Sequence, residues 1–190
     1  TKNIAVDKVI CKVPSDLALA LSDPSDKSDV SMVQNAVKFL EYEQQNHWKF
    51  YTDTLPNIVD TPDTWDDSDI ELLEFPRLVE RIRQRKAEIA RVAQESGVDI
   101  KQLQRATSIV SSRSFPIALA NADSLIEYDE RGQIMEKAGA RHSIRVLVPY
   151  LDVANHRNIP NARFTILDPE KDDAWMALVA TRKISASSEI

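Results

Sequence analysis

The sequence predicts an α+β fold in which a β domain is interrupted by a helical insertion, and three observations carry that reading. β-rich runs lie near both ends of the 190-residue chain, and amphipathic helical patterns occupy its middle. Only three glycines, Gly97, Gly132 and Gly139, punctuate it, where roughly a dozen would be average. So few glycines cannot build a G-x-G-x-x-G turn or a Gly-rich phosphate loop, which excludes self-contained Rossmann and P-loop folds.

Composition bounds the rest. The length suits one domain of ordinary size with an insertion, and 43% hydrophobic residues supply a core. Thirty acidic residues against 24 basic ones leave a net charge of −6, which argues against nonspecific nucleic-acid binding. A single cysteine, Cys11, excludes an intrachain disulfide and a multi-Cys zinc site, and no metal is expected. No apolar run approaches the roughly 20 residues of a membrane span. A soluble intracellular protein of cytoplasm, nucleus or chloroplast is the expectation. The chain opens at Thr1 without methionine and stops at Ile190 in a strand approach, so it reads as a fragment of a longer one.

The elements follow in order. Val9 to Val13 is a strand stopped by Pro14, which cannot donate to a ladder. Val30, Val33, Val37 and Leu40 recur at helical spacing behind a candidate N-cap at Ser28 or Asp29. His47 to Tyr51 is an aromatic cluster suited to a domain seam. Asp53 to Glu74 holds eight acidic residues and no basic one, broken by Pro56 and Pro62, with Asp66 or Ser68 capping a short helix. That run reads as a solvated acidic face. From Arg77 to Arg105 the sign reverses, with eight basic residues against four acidic. Leu78, Ile82, Ile89 and Val92 form one helical stripe, and the arginines largely ring the other face. Gly97 ends this helix, and Asp99 with Gln102 reads as a capping box for the next, which carries Ile100, Leu103 and Val110.

Beyond Arg113 the texture changes. Residues 116–143 are loop-like, with a turn at Asp129 to Gly132. Ile144 to Val148 alternates as a strand up to Pro149, and Arg163–Leu167 and Trp175–Val179 form a hairpin across residues 169–173. The expected division is 1–28, a helical insertion over 29–105, and 106–190.

Three segments carry a resemblance. Trp48 to Tyr51 through Leu55-Pro56, with Asp60-Thr61-Pro62 and Trp65, looks like W-x-x-Y-x-x-x-L-P … D-T-P-x-x-W; Ser112 to Phe115 is S-R-x-F; and Leu147 to His156 reads L-V-P-x-x-D-x-x-N-H. Together they resemble the SET-domain protein methyltransferases with a helical insertion, the branch of Rubisco large-subunit lysine methyltransferase and the actin-histidine methyltransferase. Asn3-Ile4 through Pro14 and Lys183 to Ile190 resemble the family's flanking strand segment and its I-x-x-G-E-E-I run, with Ser187 or Ser188 at the Gly position.

The resemblance implies a SET-domain β-fold of small sheets with a pseudoknot-type crossing, and methyl transfer from S-adenosylmethionine to a side-chain nitrogen, most often lysine, of a protein substrate. Asn155 and His156 match the cofactor-holding pair; for His156 the alternative is a buried imidazole locking a crossing segment. Arg113 matches the residue at the junction of cofactor and substrate, with a surface ion pair as the alternative. Asp152 matches a substrate-channel carboxylate, with an N-cap or turn role as the alternative. Trp175 and Phe164 fit an aromatic cage less well than strand packing. The family's Gly-x-Gly cofactor loop would precede Thr1, and its catalytic Tyr would follow Ile190, because Tyr42, Tyr51, Tyr128 and Tyr150 all precede Asn155. The family's C-terminal substrate-binding domain is likewise absent, so this chain by itself is expected to be inactive. From another class, a SET-like module could bind a partner without catalysis through the acidic and basic faces of the insertion. A third reading makes residues 77–105 a helical RNA-binding element.

Overall fold

A computed structural model of the chain describes residues 3–23, 30–118, 127–128, 134–135, 143–169, 174–186 and 188–190. It is a mixed α+β fold of small antiparallel sheets and helices, divided into two compact units: Thr1–Lys27 with Phe115–Ile190, and Ser28–Ser114. The helical unit is therefore an insertion in the β unit. Its second boundary lies later than residue 105, because a single helix runs unbroken to Arg113.

The β unit contains β1 (Val9–Pro14), β2 (Leu19–Ala20), β3 (Phe115–Ala118), β4 (Glu127–Tyr128), β5 (Ile134–Met135), β6 (Ser143–Leu147), β7 (Ala162–Leu167) and β8 (Trp175–Ala180). One sheet has the order β1-β8-β7, the second β2-β6-β3, and β4 pairs with β5, all antiparallel. Pro14 closes β1 opposite Trp175, as expected of a strand-ending proline. The expected hairpin forms with Leu167 opposite Trp175. The turns read at 129–132 and over 170–173 fall outside the described residues. The loop expected over 116–143 begins instead with β3. This strand tolerates Pro116 because it lies at the edge of its sheet. Val13 of β1, Ile117 of β3, Ile144 and Val146 of β6, and Met176 and Leu178 of β8 share one buried core. Phe115 and Phe164 stack at 4.5 Å, and Lys12 Nζ lies 3.8 Å from the Trp175 ring centroid. Phe164 and Trp175 are thus both engaged by side chains of their own unit.

The helical unit contains α1 (Met32–Glu43), α2 (Lys49–Thr52), α3 (Asp67–Glu71), α4 (Pro76–Ser96) and α5 (Ile100–Arg113). The N-cap of α1 is Ser31, not Ser28 or Asp29. Its hydroxyl accepts from Gln34 N–H while Gln34 Oε1 accepts from Ser31 N–H, a complete capping box that leaves Val30 outside the helix. Val33, Ala36 and Phe39 of α1 are buried, and α1 packs on α5, which buries Leu103, Ala106, Ile109 and Val110. Ile82, Ile89 and Val92 of α4 point inward as the stripe predicts, whereas Leu78 and Ile100, one near each helix start, are exposed. Trp48 and Tyr51 are buried, with Tyr42 and His47 edge-on to Trp48, while Phe50 is exposed.

The acidic run is not simply solvated; it is laced to the basic helix. Asp63 Oδ2 accepts from Arg85 at 3.2 Å, Asp67 from Lys86 at 3.0 Å and Glu71 from Arg83 at 3.0 Å. Lys86 also donates to Trp65 O, Thr61 and Ser108 share a 2.8 Å hydroxyl bond, and Trp65 Nε1 donates to Asp60. The hydrogen bond from Lys86, reinforced by its charge, holds the Asp67 carboxyl below the usual carboxylate range. Two opposite charge blocks that look like separate surfaces in the sequence are joined by three ion pairs, while Asp53, Asp66, Asp69 and Glu74 stay exposed. Asp99 caps α5 through hydrogen bonds from Lys101 and Gln102 N–H.

Gly97 terminates α4 at φ +69°, where an added Cβ would meet nothing within 4 Å. The cost of Gly97→Ala is therefore backbone strain alone, and urea denaturation should register about 1 kcal/mol of destabilisation. Arg85→Met strips the partner from a carboxylate buried to 4% exposure. It should cost about 1–3 kcal/mol, and adding Asp63→Asn should restore part of that loss in the same assay.

Candidate functional site

The segment Leu147–His156 turns from core to surface within a few residues. Leu147, Val148 and Leu151 are fully buried, and Val148 and Leu151 belong to the core shared by both three-stranded sheets. Pro149 ends β6, since it can donate no ladder bond. The chain then enters a single 3₁₀ turn, Leu151–Val153, closed by Leu151 and Asp152 N–H donating to Val148 O. Tyr150 precedes this turn at φ +69°, a left-handed conformation disfavoured for a non-glycine residue. Its ring is exposed. Deep apolar anchoring on both sides holds the residue there.

Asp152 lies inside the turn and is buried at 7% exposure, so its carboxylate is not presented to solvent; the N-cap position belongs to Tyr150. Asn155 and His156 follow outside any helix or strand, both exposed. The imidazole is therefore no buried lock. Among the described residues it makes no hydrogen bond. Asn155 Nδ2 donates to Glu189 Oε1 at 2.7 Å, and Asn161, buried five residues beyond His156, donates its Nδ2 to Glu189 O at 2.7 Å. Two asparagines thus clamp one residue of the terminal segment from the side chain and the main chain.

The same terminal segment is held on its other flank. Ile4 and Ile184 exchange backbone hydrogen bonds of 2.9 Å, and Ala186 N–H donates to Asn3 Oδ1 at 2.9 Å. Residues 184–186 are thus bonded to residues 3–4, and Glu189 to the 155–161 loop.

Of the expected site residues, Asp152, Asn155 and His156 are brought into one turn and its exit. Arg113 is carried by the other unit, half-buried at the last position of α5, where the next residue, Ser114, returns its hydroxyl and N–H to Val110 O. Sequence reading missed Asn161 and Glu189 as partners of the motif. Glu189 carried a signal, its place in the segment that resembles I-x-x-G-E-E-I, but nothing in a Pro160-Asn161 pair announces a clamp.

The helical unit has a cleft of its own, about 610 Å³, lined by Glu43, Asp53, Asn57, Gln102 and Arg105 among others. Arg105 pairs with Glu43 at 2.8 Å and donates Nε to Pro56 O, so its strongest polar groups satisfy one another. Among the described residues no helix is long and apolar enough to cross a membrane, and no group of three or more His, Cys, Asp or Glu is arranged to hold a metal ion.

No protein-family model matches the chain, and no curated protein does.

Because Asn155 and Glu189 meet at the surface, their bond contributes little to folding. Asn155→Ala should shift stability in urea by no more than about 0.5 kcal/mol, so any functional loss in that variant would be local.

Proposed function

We propose that this chain carries the cofactor-facing part of a SET-type protein methyltransferase, moving a methyl group from S-adenosylmethionine to a side-chain nitrogen, most often lysine, of a protein substrate. One observation carries the reading. The ten-residue motif is rooted in the core through Leu147, Val148 and Leu151, while its Asn155-His156 end stays exposed and is tied through Glu189 to a terminal segment also held by Asn3 and Ile4. An anchored loop with an exposed polar tip beside a crossing segment is what the family's cofactor pocket requires.

The residues fit such a cofactor. With Asn155 Nδ2 engaged by Glu189, its Oδ1 remains as an acceptor on an exposed residue, and the backbone at 155–156 lies outside any strand ladder. The imidazole adds a donor or acceptor. Such a set can read the hydrogen-bonding edge of adenine. For Asp152, burial favours the turn role over pairing with an incoming ammonium.

When bound, S-adenosylmethionine supplies a sulfonium methyl that passes to nitrogen as the carbon–sulfur bond breaks and its electron pair stays on sulfur. The protein's task is to present a neutral amine. Keeping a lysine deprotonated at neutral pH against a pKa near 10.4 costs about 4 kcal/mol, so a desolvated channel and alignment do most of the work. Part of the charge that a rival binding module or RNA element in the helical unit would use is already engaged, since Asp63, Asp67 and Glu71 pair with Arg85, Lys86 and Arg83.

Calorimetry should detect S-adenosylmethionine binding to the full-length protein, weakened about tenfold or more by Asn155→Ala and by His156→Ala. Unchanged affinity in both variants would overturn the site assignment.

A further inference from the structure

Beside the Asn155-His156 tip, two loops of the β unit are bonded into one surface. Thr181 N–H donates to Asn161 O at 2.9 Å, Thr181 Oγ1 to Pro160 O at 3.3 Å, and Arg182 Nη2 to Ile159 O at 3.1 Å. This surface carries Arg157 and Arg163 from one chain segment and Arg182 and Lys183 from the other, all exposed. Among the described residues none of these four cations is in an ion pair. On α4, by comparison, four of the six cations, Arg83, Arg85, Lys86 and Arg91, each hold a carboxylate.

The carboxylates of the same region do not balance them. Asp152 is buried, Glu189 is engaged by Asn155, and Asp7, whose N–H donates to Ala180 O, stands next to a further cation, Lys8. Apolar side chains lie among the charges: Ile159 is 71% exposed and Val153 67%. A cationic surface with apolar residues in it complements a segment of opposite charge that carries an apolar side chain of its own.

We propose that this surface docks an acidic segment of a protein partner, its carboxylates meeting Arg157, Arg163, Arg182 and Lys183 and an apolar side chain seating on Ile159 and Val153. The inference rests on the methyl-transfer reading in one respect: the docked segment then belongs to the methylated protein and guides its nitrogen toward the Asn155-His156 tip. A nucleic acid fits less well. Among the described residues Tyr150 and His156 offer the exposed rings near this loop, whereas base stacking along a strand needs several.

The test is fluorescence anisotropy with this chain and three labelled probes: a short Asp/Glu peptide with a central Leu, its Asn/Gln counterpart, and a single-stranded RNA of similar length. The acidic peptide should bind roughly tenfold tighter than the amide peptide and weaken as salt rises. Arg182→Glu with Lys183→Glu should remove that preference. So should Arg157→Glu with Lys183→Glu, which leaves the Arg182 bond to Ile159 intact and covers the case in which the first variant fails to fold. Equal affinity for the two peptides, or tighter binding of the RNA, would overturn the proposal. Cofactor calorimetry separates the two ideas: peptide preference without S-adenosylmethionine binding sustains the docking surface and removes methyl transfer, and cofactor binding without peptide preference does the reverse.

Discussion

The pairing of β8 with β1 on one side and β7 on the other joins the two ends of the chain, and the rest of the β unit depends on it. β8 is the central strand of its sheet, so both of its hydrogen-bonding edges are used, and Met176 to Ala180 are buried throughout. Its Met176 and Leu178 fill the core that also receives Val148 and Leu151, the residues rooting the Leu147–His156 motif. Bringing β1 to β8 closes a loop spanning most of the chain. That closure costs entropy only logarithmically in length, and contiguous apolar burial at roughly 25 cal/mol per Å² offsets it. A pairing of this kind tolerates a folded insertion between its partners. The unit Ser28–Ser114 is such an insertion.

The two units treat charge differently. In the helical unit, acidic and basic blocks adjacent in sequence fold back on each other, and a hydroxyl pair and indole bonds tie the same segment down. Individually the exposed pairs are worth little; the buried Asp63 carboxylate is the member that makes the docking specific. In the β unit, Arg157, Arg163, Arg182 and Lys183 keep their charge exposed beside the one motif that points outward. Charge satisfied internally shapes a fold, and charge left facing solvent is available for recognition.

Tyr150 shows how the core supports the exposed tip. A tyrosine at positive φ is strained. It persists because Val148 before it and Leu151 after it are both fully buried, which leaves the intervening backbone little choice. The abrupt reversal lifts the following residues to the surface, and Glu189 then steadies Asn155.

What the sequence determined by itself was whatever a few neighbouring residues decide. Pro14 ended β1, Gly97 took the left-handed position after α4, Asp99 capped α5, and Ile82, Ile89 and Val92 chose the inward face of α4. Each follows from local sterics, a nearby orphan N–H group or helical periodicity. Tertiary structure decided the rest. It set Ser31 rather than its neighbours as the cap of α1 and left Leu78 and Ile100 without cover. It admitted Pro116 to an edge strand and turned an acidic run into a partner for α4. It also joined Asn155 and Asn161 to Glu189. These outcomes depend on which distant segment arrives alongside, and no local pattern encodes that. The motif from Leu147 to His156 was legible because its apolar anchors and polar tip lie in one short stretch, whereas its clamp was not, because half of it comes from the far end of the chain.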